Sequence, residues 1–329
     1  MDKSQSILKV IRGSPKIPAP SQTVERILAL SNRPDCDLNK IAELSGRDAG
    51  LTGVLLRQAN SAFMGAAKAT SSVKDACVRL GLKRVRAAVI NQHIVSGLGK
   101  ACPPGFNPSR YWQGALAASV AAHDLCRKLI PQYAEDAGTA GLLCDIGVGL
   151  LAYGVPGIYR SVLELVGEFA TTDLDRIERE TIGITHCQVG AAVLEDWKLD
   201  PMIVEAVRRH HEDPLQPQSA GGGESKPPSP FARVVAAGVT CSGIALQGSE
   251  MSAVNRLFAQ IDGLAADADR LVSELLDELV THIQETASTL SVELGPVDEM
   301  ADNFSGVVRN LPSVSKNMTF KAMDRHLFE

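Results

Sequence analysis

The chain has 329 residues, of which 45% are hydrophobic, 22% charged and only 4% aromatic. That length can bury a large core in one large or two small domains, and the composition is that of an ordinary soluble globular protein. No apolar run reaches the roughly 18 residues of a membrane span, which sets the integral membrane classes aside. Residues 1–110 carry 17 Lys/Arg against 7 Asp/Glu, and residues 111–329 carry 16 against 31. Such asymmetry fits a nucleic-acid face, two lobes that attract each other, or an acidic partner.

The opening residues Met1-Asp2-Lys3-Ser4-Gln5-Ser6 show no signal-peptide apolar segment. The seven cysteines are scattered without a Cys-x-x-Cys pair, so reduced, mostly buried thiols and a cytoplasmic setting are expected. Abundant Ala and Leu with few aromatics favour helix over strand.

In chain order, Val24, Ile27 and Leu28 share a helix face after Pro18 and Pro20. Asp37 is the expected N-cap of a helix bearing Leu38, Ile41 and Leu44. Asp48 caps the next, with Leu51, Val54, Leu55 and Ala59 at helical spacing. Ser72 with Asp75 resembles a capping box before Val78 and Leu80, and Thr185 with Gln188 makes a better one before Val189, Ala192 and Val193. Two breaks stand out. Residues 101–109 hold Pro103, Pro104, Gly105 and Pro108, and residues 213–230 hold Asp213, Pro214, three consecutive glycines, and Pro227, Pro228 and Pro230, the composition of a flexible surface loop. A helix follows over about 231–246, then a long one around 264–294 with Leu271, Leu275, Leu279, Ile283 and Leu290 as its stripe. The stretch after Pro296 is weakly patterned and expected to be partly frayed. No run alternates at period two, so the fold class is all-α.

Several segments together resemble the HDOD domain family. They are Leu55-Leu56-Arg57-Gln58-Ala59-Asn60-Ser61-Ala62-Phe63, Ser71-Ser72-Val73 with Ala76, and Leu80-Gly81-Leu82-Lys83-Arg84-Val85-Arg86. Trp112, Gly141-Leu142-Leu143-Cys144-Asp145-Ile146-Gly147, Glu178-Arg179-Glu180, and Thr185-His186-Cys187-Gln188-Val189-Gly190 continue the likeness. Trp197, Ile203-Val204-Glu205-Ala206-Val207 and His210-His211 close it. The resemblance implies a two-lobed helical domain over 14–246, with lobes at about 14–100 and 110–246. A 1–13 segment precedes it and a C-terminal helical extension, 247–329, follows. It further implies a bacterial signalling or regulatory protein with no established catalytic activity.

Residues 141–147 are similar to the Gly-Leu-Leu-His-Asp-Ile-Gly signature of HD-type metal phosphohydrolases, with Cys144 in the place of the histidine. Imidazole and carboxylate together suit a hydrolytic divalent metal, and a Cys-Asp pair makes a poorer oxygen/nitrogen site. Carried over residue by residue, the slot on the helix after Trp112 falls on Gly114. The later aspartate has no counterpart near Val235–Val239, so of the four slots only Asp145 is kept. One carboxylate cannot hold a metal against water. No metal, no cofactor and no catalytic residue is therefore expected. Gly114, Cys144, Asp145 and His186 form the candidate vestigial pocket. Asp145 either makes a helix-terminal hydrogen bond or faces that pocket, and His186 is taken mainly as structural, one residue past an N-cap. His123-Asp124, a literal His-Asp pair without the surrounding motif, is expected at the surface or a lobe interface. His210-His211 suggests ligands, but adjacent helical residues point about 100° apart, so a helix-end role is expected instead.

The function expected is a non-catalytic regulatory module that binds a signalling protein partner or a small ligand through the degenerate pocket. Arg57, Asn60 and Ser61 carry a structural motif. Asn60 and Ser61 are expected in a turn, hydrogen-bonded to backbone. The alternative is a nucleic-acid-binding regulator using Lys83, Arg84 and Arg86 on the basic lobe, for which lobe or partner attraction is the preferred explanation. A residual phosphohydrolase comes third. No membrane partner is expected, and the oligomeric state stays open.

Overall fold

The computed structural model describes residues 3–14, 17, 21–31, 33, 35–60, 69–97, 102–166, 174–213, 226–248, 250–290 and 297–309. Ser61 and most of the 213–230 loop fall outside them. Among the described residues every regular element is helical, so the chain is all-α. The order is α1 (Lys3–Gly13), α2 (Gln22–Ser31), α3 (Leu38–Ser45), α4 (Ala49–Ala59) and α5 (Val73–Gly97). There follow α6 (Pro108–Leu129), α7 (Ala134–Leu143), α8 (Ile146–Gly154), α9 (Pro156–Val166) and α10 (Leu174–Ile182). Next are α11 (His186–Asp196), α12 (Pro201–Arg209), α13 (Pro230–Gln247), α14 (Met251–Ile261), α15 (Ala268–Leu290) and α16 (297–309).

The helix starts follow local side-chain chemistry. Asp37 accepts from the Asn39 amide and Asp48 from the Leu51 amide, satisfying donors that the first turn leaves free. Ser72 Oγ accepts from the Asp75 amide at 3.2 Å. Thr185 and Gln188 form a full reciprocal capping box at α11. Leu51, Val54 and Leu55 on α4 are buried, so α3 and α4 spend this face on core rather than on a groove-reading helix. Gly81, at φ 75°, breaks α5 at a backbone conformation that side-chain-bearing residues rarely adopt.

α6 is the central strut, packed between α7 and α13, with α15 along another side. α4 and α5 form the heart of the first lobe, and α5 also meets α7. One continuous apolar core runs from Ile7 and Ile11 on α1 to Phe304 and Val307 on α16. The 1–13 segment docks on the second lobe. Ser4 Oγ donates to the Gly183 carbonyl at 2.7 Å, and Arg12 pairs with Asp196 at 2.6 Å.

Within the stretch expected to be partly frayed, residues 297–309 are helical, because Met300, Phe304 and Val307 fall at helical spacing and are all buried, and residues 310–329 lie outside the described residues. The stretch Pro131–Gly154 has the length and hydropathy of a membrane span, but 83% of its apolar window is buried inside the protein, as core helices are.

Candidate functional site

The junction of α7 and α8 carries the altered signature. Cys144 ends α7 and is completely buried. Burial pushes its thiol up to about 12, which keeps it neutral. Asp145 stands at the N-cap position of α8 yet makes no side-chain cap. Its Oδ1 lies 3.5 Å from His186 Nε2 and 3.5 Å from His210 Nε2. Of the two expectations for Asp145, the helix-terminal hydrogen bond is not made, and the carboxylate faces His186 and His210 instead. Burial works against its charge, but the His210 hydrogen bond and the neighbouring imidazoles hold the carboxyl well below the usual range.

α8 reaches these histidines because Gly147 has no side chain. A Cβ there would lie 1.9 Å from the His186 carbonyl oxygen, inside any van der Waals contact. The capping box then places His186 as the first residue of α11, at 0% exposure.

Beneath it lies a carboxylate that sequence reasoning missed. Glu178 on α10 is fully buried and accepts three donors: Tyr159 Oη at 2.6 Å, the His186 amide at 2.6 Å and His186 Nδ1 at 2.7 Å. A buried carboxylate needs such donors to remain there. His210, where α12 ends, has Nδ1 2.7 Å from the Val207 carbonyl. A carbonyl only accepts, so His210 Nδ1 donates to it, and Nε2 is the atom that faces Asp145. Burial works against a charge on either ring, but Cys187, with Asp145 beside His210 and Glu178 beside His186, raises both imidazoles well above the ordinary histidine range. The two Nε2 atoms face each other at 3.3 Å.

Cys187 completes the group, with Sγ 3.5 Å from His186 Nε2 and 4.0 Å from His210 Nε2. Burial raises its pKa, but the imidazoles at positions 186 and 210 outweigh burial and pull it down to about 6. The ring of His211 lies 4.2 Å from that of His210 and 5.1 Å from that of His186. The donor atoms of His186, Cys187, His210 and His211 all lie within 4.8 Å of one another. The expected divergence of His210 and His211 therefore fails. α12 stops at Arg209 with His210 as its cap, the helix-end position expected, and the two rings converge there all the same. A local signal existed: three of the chain's seven histidines, with Cys187, fall between positions 186 and 211.

Gly114 does not share this cluster's chemistry. A Cβ there would meet Leu246 and Ser242 of α13, and the Gly114 carbonyl accepts from Ser242 Oγ at 2.8 Å. The residues present do not fit the phosphohydrolase metal in its own slots: one slot is a buried neutral thiol and another offers no side chain.

The other named residues are structural. The Asn60 side chain donates to the Thr70 carbonyl and accepts from the Thr70 amide, both at 2.8 Å, tying the end of α4 to the start of α5. Arg57 lies in the last turn of α4. Lys83 Nζ reaches the Gln132 carbonyl at 2.6 Å and Asp136 at 3.2 Å, and Arg84 pairs with Glu135 at 2.8 Å. Val85 between them and Arg86 is fully buried. Two of the three basic-face residues thus clamp the first lobe to acidic residues at the start of α7. His123-Asp124 is an interface pair. Asp124, buried, takes His123 Nδ1 at 3.0 Å and His282 Nδ1 of α15 at 2.6 Å, while His123 Nε2 lies 3.5 Å from Glu135.

A helical protein with an HD-like junction, its first ligand exchanged for a buried thiol, is thereby defined. The HDOD domain model matches residues 17–213, and the chain belongs to the HDOD family. A Geobacter sulfurreducens HDOD domain protein of unknown function superposes with a TM-score of 0.67 at 23% identity, over 87% of this chain and 98% of that one. A Marinobacter aquaeolei protein, provisionally described as a signal transduction protein, gives 0.63 at 24% identity, over 88% and 65%. A Shewanella amazonensis protein, provisionally described as a metal-dependent phosphohydrolase, gives 0.58 at 20%, over 88% and 100%. These likenesses show the fold. A Treponema pallidum protein of unassigned function is 25% identical over 217 residues, and the chain spans 40% of that relative's length.

Proposed function

We propose that this HDOD protein is a non-catalytic regulatory module that binds a signalling protein partner or a small ligand at the pocket around Asp145. The observation that supports this most strongly is Cys144, buried and neutral where a hydrolytic site needs an imidazole. Gly114, which offers no ligand atom in another slot, adds to it. Asp145 keeps 27% side-chain exposure while its histidine partners are buried, so a charged acceptor remains reachable from solvent. The signal-transduction description of the Marinobacter protein is in keeping with this reading. Nucleic-acid binding is the weaker alternative, since Lys83 and Arg84 are engaged by Gln132, Asp136 and Glu135.

Affinity capture from the source cell tests the reading, with the full chain as bait beside its Asp145→Lys variant. The expected result is a protein or metabolite retained by the wild type and lost from a folded variant. Identical retention by both would overturn the pocket as the binding site.

A further inference from the structure

We propose that His186, Cys187 and His210, closed by His211, form a site for one divalent cation of the zinc class, beside the one phosphohydrolase slot that Asp145 keeps. The proposal goes beyond the regulatory reading and does not rest on it. The first support is the convergence of donor atoms. With both Nδ1 atoms committed to Glu178 and to the Val207 carbonyl, the two Nε2 atoms point together at 3.3 Å inside a buried site.

The second support is metric. A tetrahedral zinc with Zn–N near 2.0–2.1 Å and Zn–S near 2.3 Å sets nitrogens about 3.3 Å apart and nitrogen and sulfur about 3.6 Å apart. The observed separations are 3.3 Å between the Nε2 atoms, and 3.5 and 4.0 Å from Sγ to each. His211, only partly buried, has its donor atom within 4.8 Å of the other three. It closes the tetrahedron by a small ring movement.

The third support is the outer layer. Glu178 on His186 and the Val207 carbonyl on His210 are the partners that orient metal-bound imidazoles and make them better ligands. Asp145, 3.5 Å from both Nε2 atoms, balances charge from the pocket side. One thiolate and three imidazoles select zinc over magnesium, calcium or manganese. A site with all four positions filled by protein is of the structural type, with none left for a reacting water. It would tie the start of α11 to the end of α12, next to the α7–α8 junction.

The test uses the full chain, reduced, stripped with chelator and titrated with cobalt(II) alone. The expected result is one cobalt per chain, with a thiolate-to-cobalt charge-transfer band and tetrahedral d–d bands, all displaced by zinc. Cys187→Ser should abolish the charge-transfer band and weaken binding at least about ten-fold, whereas Cys102→Ser should change neither. X-ray absorption on zinc-loaded wild type needs no variant and should give one sulfur and otherwise nitrogen neighbours. Wild type that binds neither cobalt nor zinc at micromolar concentration would overturn the proposal. So would an oxygen-dominated shell, or a band that survives in Cys187→Ser. None of these outcomes alters what affinity capture would report on a partner.

Discussion

Asp124 joins three elements, and its removal has a pH signature. Its carboxylate takes His123 on its own helix α6 and His282 on α15, while His123 also faces Glu135 on α7. Burial opposes a charged His123, but the Asp124 and Glu135 carboxylates raise its pKa from 6.5 to about 9. A group whose folded pKa is raised stabilises the fold fully below its unfolded pKa and loses that contribution as pH climbs through the folded value. The shift is on the order of 3 kcal/mol at 1.36 kcal/mol per pH unit, lost between about pH 6.5 and 9. Asp124→Asn keeps the shape and removes the charge. Glu135 remains, so the variant should forfeit roughly half, about 1–2 kcal/mol. The assay is urea unfolding of both proteins at pH 6 and at pH 9.5. The variant should be clearly less stable at pH 6, and the gap should narrow at the higher pH. A gap that is constant with pH, or that widens as pH rises, would refute the assignment of charged His123 to this network.

Other consequences are more local. Gly147→Ala should lower stability by about 2–3 kcal/mol, read as a fall in the thermal midpoint, because the new Cβ would have to displace the His186 carbonyl. Asn60→Ala removes both hydrogen bonds to Thr70 and should cost about 1–3 kcal/mol in denaturant unfolding. A double-mutant cycle on Arg84 and Glu135 should show a coupling of about 0.5–1 kcal/mol that shrinks with added salt, as a partly exposed interlobe pair requires.

What was legible in the sequence was what short-range chemistry decides. Asp37, Asp48 and the Thr185–Gln188 box announce helix starts because the donors they satisfy lie two or three residues away. The apolar spacing of Leu51, Val54 and Leu55 marks a buried face for the same reason. Comparing Cys144 with the phosphohydrolase motif located the junction, and the pocket role of Asp145 was one of two expectations there. The rest depends on long-range packing. Glu178, His186 with Cys187, and His210 with His211 come from three elements, and α8 approaches them only because position 147 is glycine. Counting ligands in the phosphohydrolase slots could not reveal a cluster assembled outside them. The helix-end position of His210 and His211 was legible, whereas the convergence of their rings on His186 was not. The basic lobe was ambiguous until Lys83 and Arg84 could be placed beside Asp136 and Glu135, some fifty residues away in sequence.

The proposed absence of phosphohydrolase chemistry is tested most directly by phosphate release from the full chain. The substrates are phosphomonoesters, phosphodiesters and cyclic dinucleotides, each with magnesium, manganese, iron(II) or zinc added. With Cys144 buried and neutral and Gly114 packed against Leu246, the expected result is no turnover above the metal-only blank, in the wild type and equally in Cys144→His. Metal-dependent turnover by the wild type that disappears in Asp145→Asn would contradict the account.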